Sequence, residues 1–207
     1  MKIKVQFAGN PDQVQPGVIA LLPEGSYDAG ALCRRSRELG SVLITPPCEH
    51  NGQLGMLCAV DGRYYFQSKC FLSEEEMAHY TPGTDVQSIA TPWGRIALCC
   101  GEDVFQPMYP RTAALKGCIL LAVFIPGIKE DLLIPGPWSA CQANCMPIAL
   151  ADGSGGQLIL PCAMTPDASG FGEKEIDTNA LRAAYRDFPI FRSLNKGFYR
   201  RYREVLL

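Results

Sequence analysis

Ionisable side chains stand where apolar, strand-like stretches run out: Glu24 after Val18–Leu22, Lys69 in YYFQSKC, and the pair Glu102-Asp103 after IALCC. A carboxylate at the end of a buried strand is costly to desolvate unless paired. Glu24 is therefore expected to have a cationic partner, with Lys69 the natural candidate. Structural ion pairs occupy such positions too. The segment Thr91–Phe124 reads as a strand (Ile96–Cys100), a sharp turn (Gly101-Glu102-Asp103), a helix (about Pro107–Lys116) and a second strand (Ile119–Phe124). A unit of this shape is where α/β proteins set a reactive side chain at a strand's carboxyl end. Here the turn residue is glycine.

Other chemistries find little support. The chain holds two histidines, His50 and His79, and its ten cysteines include no paired CxxC. Cys48 and His50 flank Glu49, and Cys141 and Cys145 lie four apart, which is not the ligand spacing of structural zinc. With no secretion signal at MKIKVQFAGN, the cysteines read as buried, reduced thiols.

The elements that must position these residues follow from periodicity. Lys2–Phe7 alternates apolar and polar residues, and Val18–Leu22 is continuously apolar; both read as strands. Asn10–Gly17 is a loop, a helix covers about Ala31–Leu39 before Gly40, and Val42–Thr45 is a strand. Asp61-Gly62 joins Leu54–Val60 to Arg63–Cys70 as a hairpin. Ser73 and Glu76 have capping-box spacing at the start of a short helix reaching about Tyr80, and Val86–Ala90 leads into the elbow segment. After Phe124, prolines and glycines up to Pro137 break the chain into a loop before a helix near Trp138–Cys145. Strands near Ile148–Leu150, Gln157–Leu160 and Glu175–Ile176 follow, then a helix over Asn179–Tyr185 capped by Thr178, then a basic-aromatic tail, Phe188–Tyr202. Hairpins alternating with strand–helix units define layered α/β with mixed sheets.

At 207 residues, 47% hydrophobic and 19% charged, the chain suits one globular domain. A net charge of −2 and basic residues clustered only near the C-terminus argue against a nucleic-acid partner. The longest apolar run, Ile119–Ile125, is too short to span a membrane. The reading is cytoplasmic.

In order along the chain, LLPE, YYFQSK followed by Glu76 and Pro82-Gly83, GRIALCCGED and ALKG resemble the nitrilase superfamily of carbon–nitrogen hydrolases. The resemblance runs over nearly the whole chain, to EIDTNALRAAYRDFPIFRS. It implies one nitrilase-like domain over residues 1–207, an α-β-β-α sandwich of two mixed β-sheets flanked by helices, without a cofactor and with a homo-oligomeric, dimeric or larger, assembly. It also implies roles. Glu24 falls at the family's general base, Lys69 at its oxyanion-stabilising lysine with Leu72 in the place of a family leucine, and Glu76 at its second glutamate. Glu102 and Asp103 fall at an acidic pair beside the nucleophile, where they would contact substrate. Counted forward from Arg95 or back from Gly117, the nucleophilic cysteine's position is 101, which holds Gly101. Glycine offers no nucleophile. Cys100 is the available substitute, but neighbouring strand residues point to opposite faces, so it is expected to aim away from the pocket unless a bulge turns it. The family's RA-x-EN helix is reduced to Ala140–Asn144, keeping Asn144, and Ala8–Gly17 is too short for the helix found there in the family.

The resulting expectation is a divergent protein with a Glu–Lys–Glu pocket for a small amide, nitrile or carboxylate, lacking the usual cysteine. Two alternatives stand beside it: an amidohydrolase using Cys100 or a Glu24-activated water, and a non-catalytic scaffold.

Overall fold

The structure is a computed structural model and describes residues 1–126, 135–161, 167 and 170–187. One mixed sheet contains β1 (Lys2–Phe7), β2 (Ile19–Leu21), β3 (Val42–His50), β4 (Gln53–Val60), β5 (Arg63–Ser68) and β11 (Gly172–Asp177), in the order β11-β1-β2-β3-β4-β5. The other contains β6 (Ile89–Thr91), β7 (Gly94–Cys100), β8 (Cys118–Phe124), β9 (Ile148–Ala151) and β10 (Gly156–Ile159), in the order β10-β9-β8-β7-β6. The helices are α1 (Ala29–Leu39), α2 (Glu74–Met77), α3 (Met108–Leu115), α4 (Pro135–Asn144) and α5 (Thr178–Asp187).

Strand alternation builds the layers. On β7, Ile96, Leu98 and Cys100 face the other sheet and pack with Ile3, Val5 and Phe7 of β1 in one inter-sheet core. Ala97 and Cys99, on the opposite face, pack under Tyr109 and Ala113 of α3 and Cys141 of α4. The outer face of the first sheet is covered by Leu32 of α1 on Ala20, Leu43 and Ala59. The result is the expected helix–sheet–sheet–helix sandwich.

The Asp61-Gly62 hairpin forms with both residues at positive φ (48° and 74°), and β4 and β5 pair antiparallel from Val60↔Arg63. Three boundaries differ from expectation for local reasons. β3 continues past Thr45 through Pro46-Pro47 to His50; its pairing with β4 shifts between Ile44 and Pro47, and Thr45 Oγ1 accepts from Leu57 N (3.0 Å). β6 is a true partner of β7, turned back by Thr91, whose Oγ1 accepts from Trp93 N (3.3 Å) and donates to Gly94 O (2.7 Å). Pro135-Gly136-Pro137 does not break the chain but opens α4, because a first helical turn needs no amide donor there.

Thr178 does not cap α5. Its Oγ1 donates to Met1 O (2.6 Å), and Asp177 Oδ1 accepts from Asn179 N (2.8 Å) instead. The tail Phe188–Tyr202 lies outside the described residues, as do residues 127–134.

Candidate active site

Strand direction decides which residues can meet. β1, β2 and β3 are parallel, β4 reverses and β5 reverses again, so β2 and β5 run the same way. In the second sheet β7, β8 and β9 are parallel. Pro23, just past β2, lines one small cavity with Phe124 and Ala151, the last residues of β8 and β9. The carboxyl ends of both parallel sets therefore share one end of the sandwich. Glu24, Lys69 and Gly101 all emerge there, the usual place for ligands in α/β sheets.

Lys69 is the centre of the charged cluster. Its residue is 4% exposed, and the backbone on both sides is pinned: Lys69 N donates to Leu54 O (2.7 Å) and Lys69 O accepts from Gly83 N (2.8 Å). A Cβ at Gly83 would meet Ser68 O at 2.8 Å, so glycine lets that crossing happen. Lys69 Nζ donates to Glu76 Oε1 and Oε2 (2.7 and 2.8 Å) and lies 2.6 Å from Glu102 Oε2. Burial works to lower the Lys69 pKa, but the bonds and charges of Glu102 and Glu76 outweigh it and hold the ammonium above its ordinary value.

Glu76 closes the capping box and meets Lys69 with the same carboxylate. Ser73 Oγ accepts from Glu76 N (3.2 Å), and Glu76 Oε2 accepts from Ser73 N (2.7 Å), which completes the capping box. The same carboxylate faces Lys69. Burial acts to raise its pKa, and Lys69 with Ser73 drives it below the usual carboxylate value.

Gly101 has φ +61°, the left-handed conformation of a sharp elbow, and opens a 3-10 turn spanning Gly101–Phe105. Apart from its chain neighbours, a Cβ built there would meet only Lys69 among the described residues, Nζ at 3.3 Å and Cε at 3.4 Å. A side chain at 101 would thus stand directly against the ammonium. Tyr109 Oη, donating to Leu98 O (2.7 Å), fastens α3 onto the strand that delivers this elbow. Nothing in the local pattern announced that bond.

One expectation is corrected. Glu24 does not pair with Lys69: it is exposed and lies against Gly153, whose added Cβ would come within 2.9 Å of Glu24 Oε1. β2 and β5 are separated by β3 and β4, a lateral span of about 14 Å, while Glu76 and Glu102 are at hand. Asp103, expected to contact substrate, is buried and bonded to backbone. It is 0% exposed, and its oxygens accept from Cys70 N (2.8 Å) and Phe71 N (2.9 Å). Burial pushes its carboxyl up to about 6, against the opposing pull of those two amides. Glu102, expected to contact substrate, is held by Lys69.

Cys100 points into the inter-sheet core, 1% exposed, as strand alternation requires. Burial, and then the charge of Asp103, push its thiol well up. Cys99 is buried under the helices and shifted the same way. Asn144 stays outside the cluster; its Nδ2 donates to Ala140 O (2.8 Å), and it lines a separate cleft of about 320 Å³ with Phe105, Met108 and Arg111. Among the described residues no group of His, Cys, Asp and Glu is placed to hold a metal ion, and no helix is long and apolar enough to cross a membrane.

No protein-family model matches the chain, and no curated protein matches it in sequence. Solved structures do match its fold. Nit3 of Saccharomyces cerevisiae, a member of branch 10 of the nitrilase superfamily, superposes with TM-score 0.72 at 15% identity, covering 91% of this chain and 94% of that one. A carbon–nitrogen hydrolase from Helicobacter pylori gives 0.69 at 17% identity, covering 97% and 98%. An amidase from Nesterenkonia sp. gives 0.65 at 17% identity, covering 98% and 96%. At these identities the likeness establishes the architecture: the chain has the nitrilase fold.

Proposed function

We propose that this is a divergent carbon–nitrogen-hydrolase-like protein that binds a small amide, nitrile or carboxylate at the Lys69 cluster and forms no acyl-enzyme. The observation that carries this reading is Gly101. It sits in a left-handed elbow at the end of β7, with the Lys69 ammonium 3.3 Å from the position its Cβ would take. In a glutamate-to-glutamine variant of the structurally similar Nesterenkonia amidase, acrylamide adds to the active-site cysteine. A thiolate is the group that acyl transfer needs, and a thiol beside Lys69 would be held in that form by the ammonium. The buried Cys100, its pKa raised, is poorly suited to stand in. Self-association fits the α3 side of this end, where Phe105 and Met108 are 38% and 50% exposed; a single monomeric mass in solution would remove that part of the reading.

Intact mass spectrometry of Gly101→Cys and of the unsubstituted chain, each incubated with acrylamide and with propionamide, tests the reading. The substituted chain is expected to gain an adduct at position 101 that Lys69→Met suppresses, and the unsubstituted chain to show neither an adduct there nor amide hydrolysis. Hydrolysis by the unsubstituted chain overturns the proposal. If Cys100→Ala then abolishes it, Cys100 is the nucleophile; if Glu24→Gln abolishes it and Cys100→Ala does not, Glu24 activates a water.

A further inference from the structure

Lys69 has two carboxylate partners, and they are held very differently. Glu76 is fixed by the reciprocal bonds with Ser73, and its side chain is 24% exposed. Glu102 is 60% exposed, and no other hydrogen bond or ion pair holds its side chain among the described residues. An ammonium has three protons to donate. Both Glu76 oxygens and Glu102 Oε2 lie within 2.8 Å of Nζ on a side chain only 5% exposed, so the approaches to the ammonium are already taken. A ligand oxygen reaches Nζ by displacing one partner, and the solvent-exposed ion pair is the weak one.

We propose that Glu102 is the displaceable occupant of the Lys69 site: a small primary amide binds by placing its carbonyl oxygen on Nζ, above Gly101, in exchange for the Glu102 carboxylate. This rests on the ligand-site reading above and narrows its ligand class. Lys69 and Glu76 already balance one another, and the Lys69 side chain is 5% exposed. A neutral carbonyl leaves that balance intact. A ligand carboxylate brings a second negative charge beside Glu76 and near the buried Asp103, where burial penalises it; Glu102 carries such a charge there only because its carboxylate reaches water. Glu102 thereby sets specificity for uncharged carbonyl ligands, and its position next to Gly101 in the 3-10 turn places it over the elbow.

Calorimetric titration with propionamide and with propionate tests this on the unsubstituted chain, Glu102→Ala and Lys69→Met, with the Lys69 15N signal followed in parallel. Glu102→Ala is expected to bind propionamide about fivefold more tightly, the gain for propionate being larger because the carboxylate that repels it is gone. Propionamide affinity of the unsubstituted chain rises from low to molar salt as the Lys69–Glu102 pair is screened, and that of Glu102→Ala does not. Equal propionamide affinity in Glu102→Ala and the unsubstituted chain, with binding still lost in Lys69→Met and the Lys69 signal still moving, overturns the exchange while leaving the Lys69 site standing. Binding indifferent to Lys69→Met, or no binding and no movement of the Lys69 signal, overturns the exchange together with the ligand-site reading.

Discussion

Asp103 accepts hydrogen bonds from the amides of Cys70 and Phe71 at 2.8 and 2.9 Å, which ties the elbow after β7 to the segment that delivers Lys69. The two halves of the charged cluster come from different sheets, and this carboxylate is a direct strap between them. Removing it leaves two amide donors without their acceptor. Asp103→Ala is expected to destabilise the fold by about 2–4 kcal/mol, read from urea unfolding. A loss within experimental error would show that the strap is dispensable.

The same carboxyl sets a pH dependence of unusual sign. Its folded pKa, about 6, lies above the ordinary 3.8, so between these values the folded state binds the extra proton. Its contribution to stability is therefore largest below about pH 4, falls as pH rises towards about 6, and is level above that. Glu76 acts the other way: its folded pKa lies below 4.5, so its contribution is present above that value and is lost as pH falls through the folded pKa. In stability–pH curves, Asp103→Asn is expected to remove the fall between pH 4 and 6, and Glu76→Gln to change the acid limb below 4.5 and, through Lys69, the alkaline limb, while leaving the window between 5 and 6 as it was. A Glu76→Gln curve altered between 5 and 6 would contradict the assignment.

Ser73 and Glu76 separate capping from aim. Ser73→Ala removes one cap bond and is expected to cost about 1 kcal/mol with Lys69 still paired. Glu76→Gln removes the anchored charge, so the Lys69 pKa is expected to fall, measured by 15N titration of the ammonium. If Ser73→Ala lowers the Lys69 pKa as much as Glu76→Gln does, the cap is what keeps Glu76 on its target.

Much of this was legible beforehand, and the rest was hidden for identifiable reasons. The alternation in β7 placed Cys100 away from the elbow, Asp61-Gly62 announced its hairpin, and Ser73 announced its cap, because each depends on residues close in sequence. The partner of Lys69 was not legible. Glu24, Glu76 and Glu102 all carry the right charge, and the choice among them follows from strand order, which puts β3 and β4 between β2 and β5. Asp103 looked like a ligand-facing acid because nothing local shows that the amides of Cys70 and Phe71, more than thirty residues away, come to meet it. Thr178 looked like a cap for the same reason: Met1 is its partner and lies at the other end of the chain.

Gly101 invites comparison with Gly117. Both have positive φ, 61° and 76°, but a Cβ at 117 would meet nothing within 4 Å while one at 101 meets the end of Lys69. Alanine at either position is expected to cost about 1–2 kcal/mol of backbone strain. Only Gly101→Ala should also move the Lys69 titration. The ammonium is the far end of a flexible chain and can yield a few tenths of an ångström, so the added cost of crowding is small. A Gly101→Ala loss several kcal/mol larger than that of Gly117→Ala would mean that the elbow is packed rather than open, and would weaken the proposed ligand site.

Thiol reactivity discriminates the remaining route to catalysis. Alkylation requires the thiolate and access, and Cys100 has neither: it is 1% exposed between the sheets and its thiol is pushed well up by burial. Cys70 is half-buried but is likewise pushed up to about 12, chiefly by burial and then by the Asp103 charge. Under native conditions iodoacetamide is expected to modify the partly exposed Cys33 first, Cys70 slowly, and Cys100 only at the rate of global unfolding. Peptide mapping across a urea series checks this order. Fast native-state labelling of Cys100 that a bound amide suppresses would place its sulfur in the Lys69 site and revive it as a nucleophile.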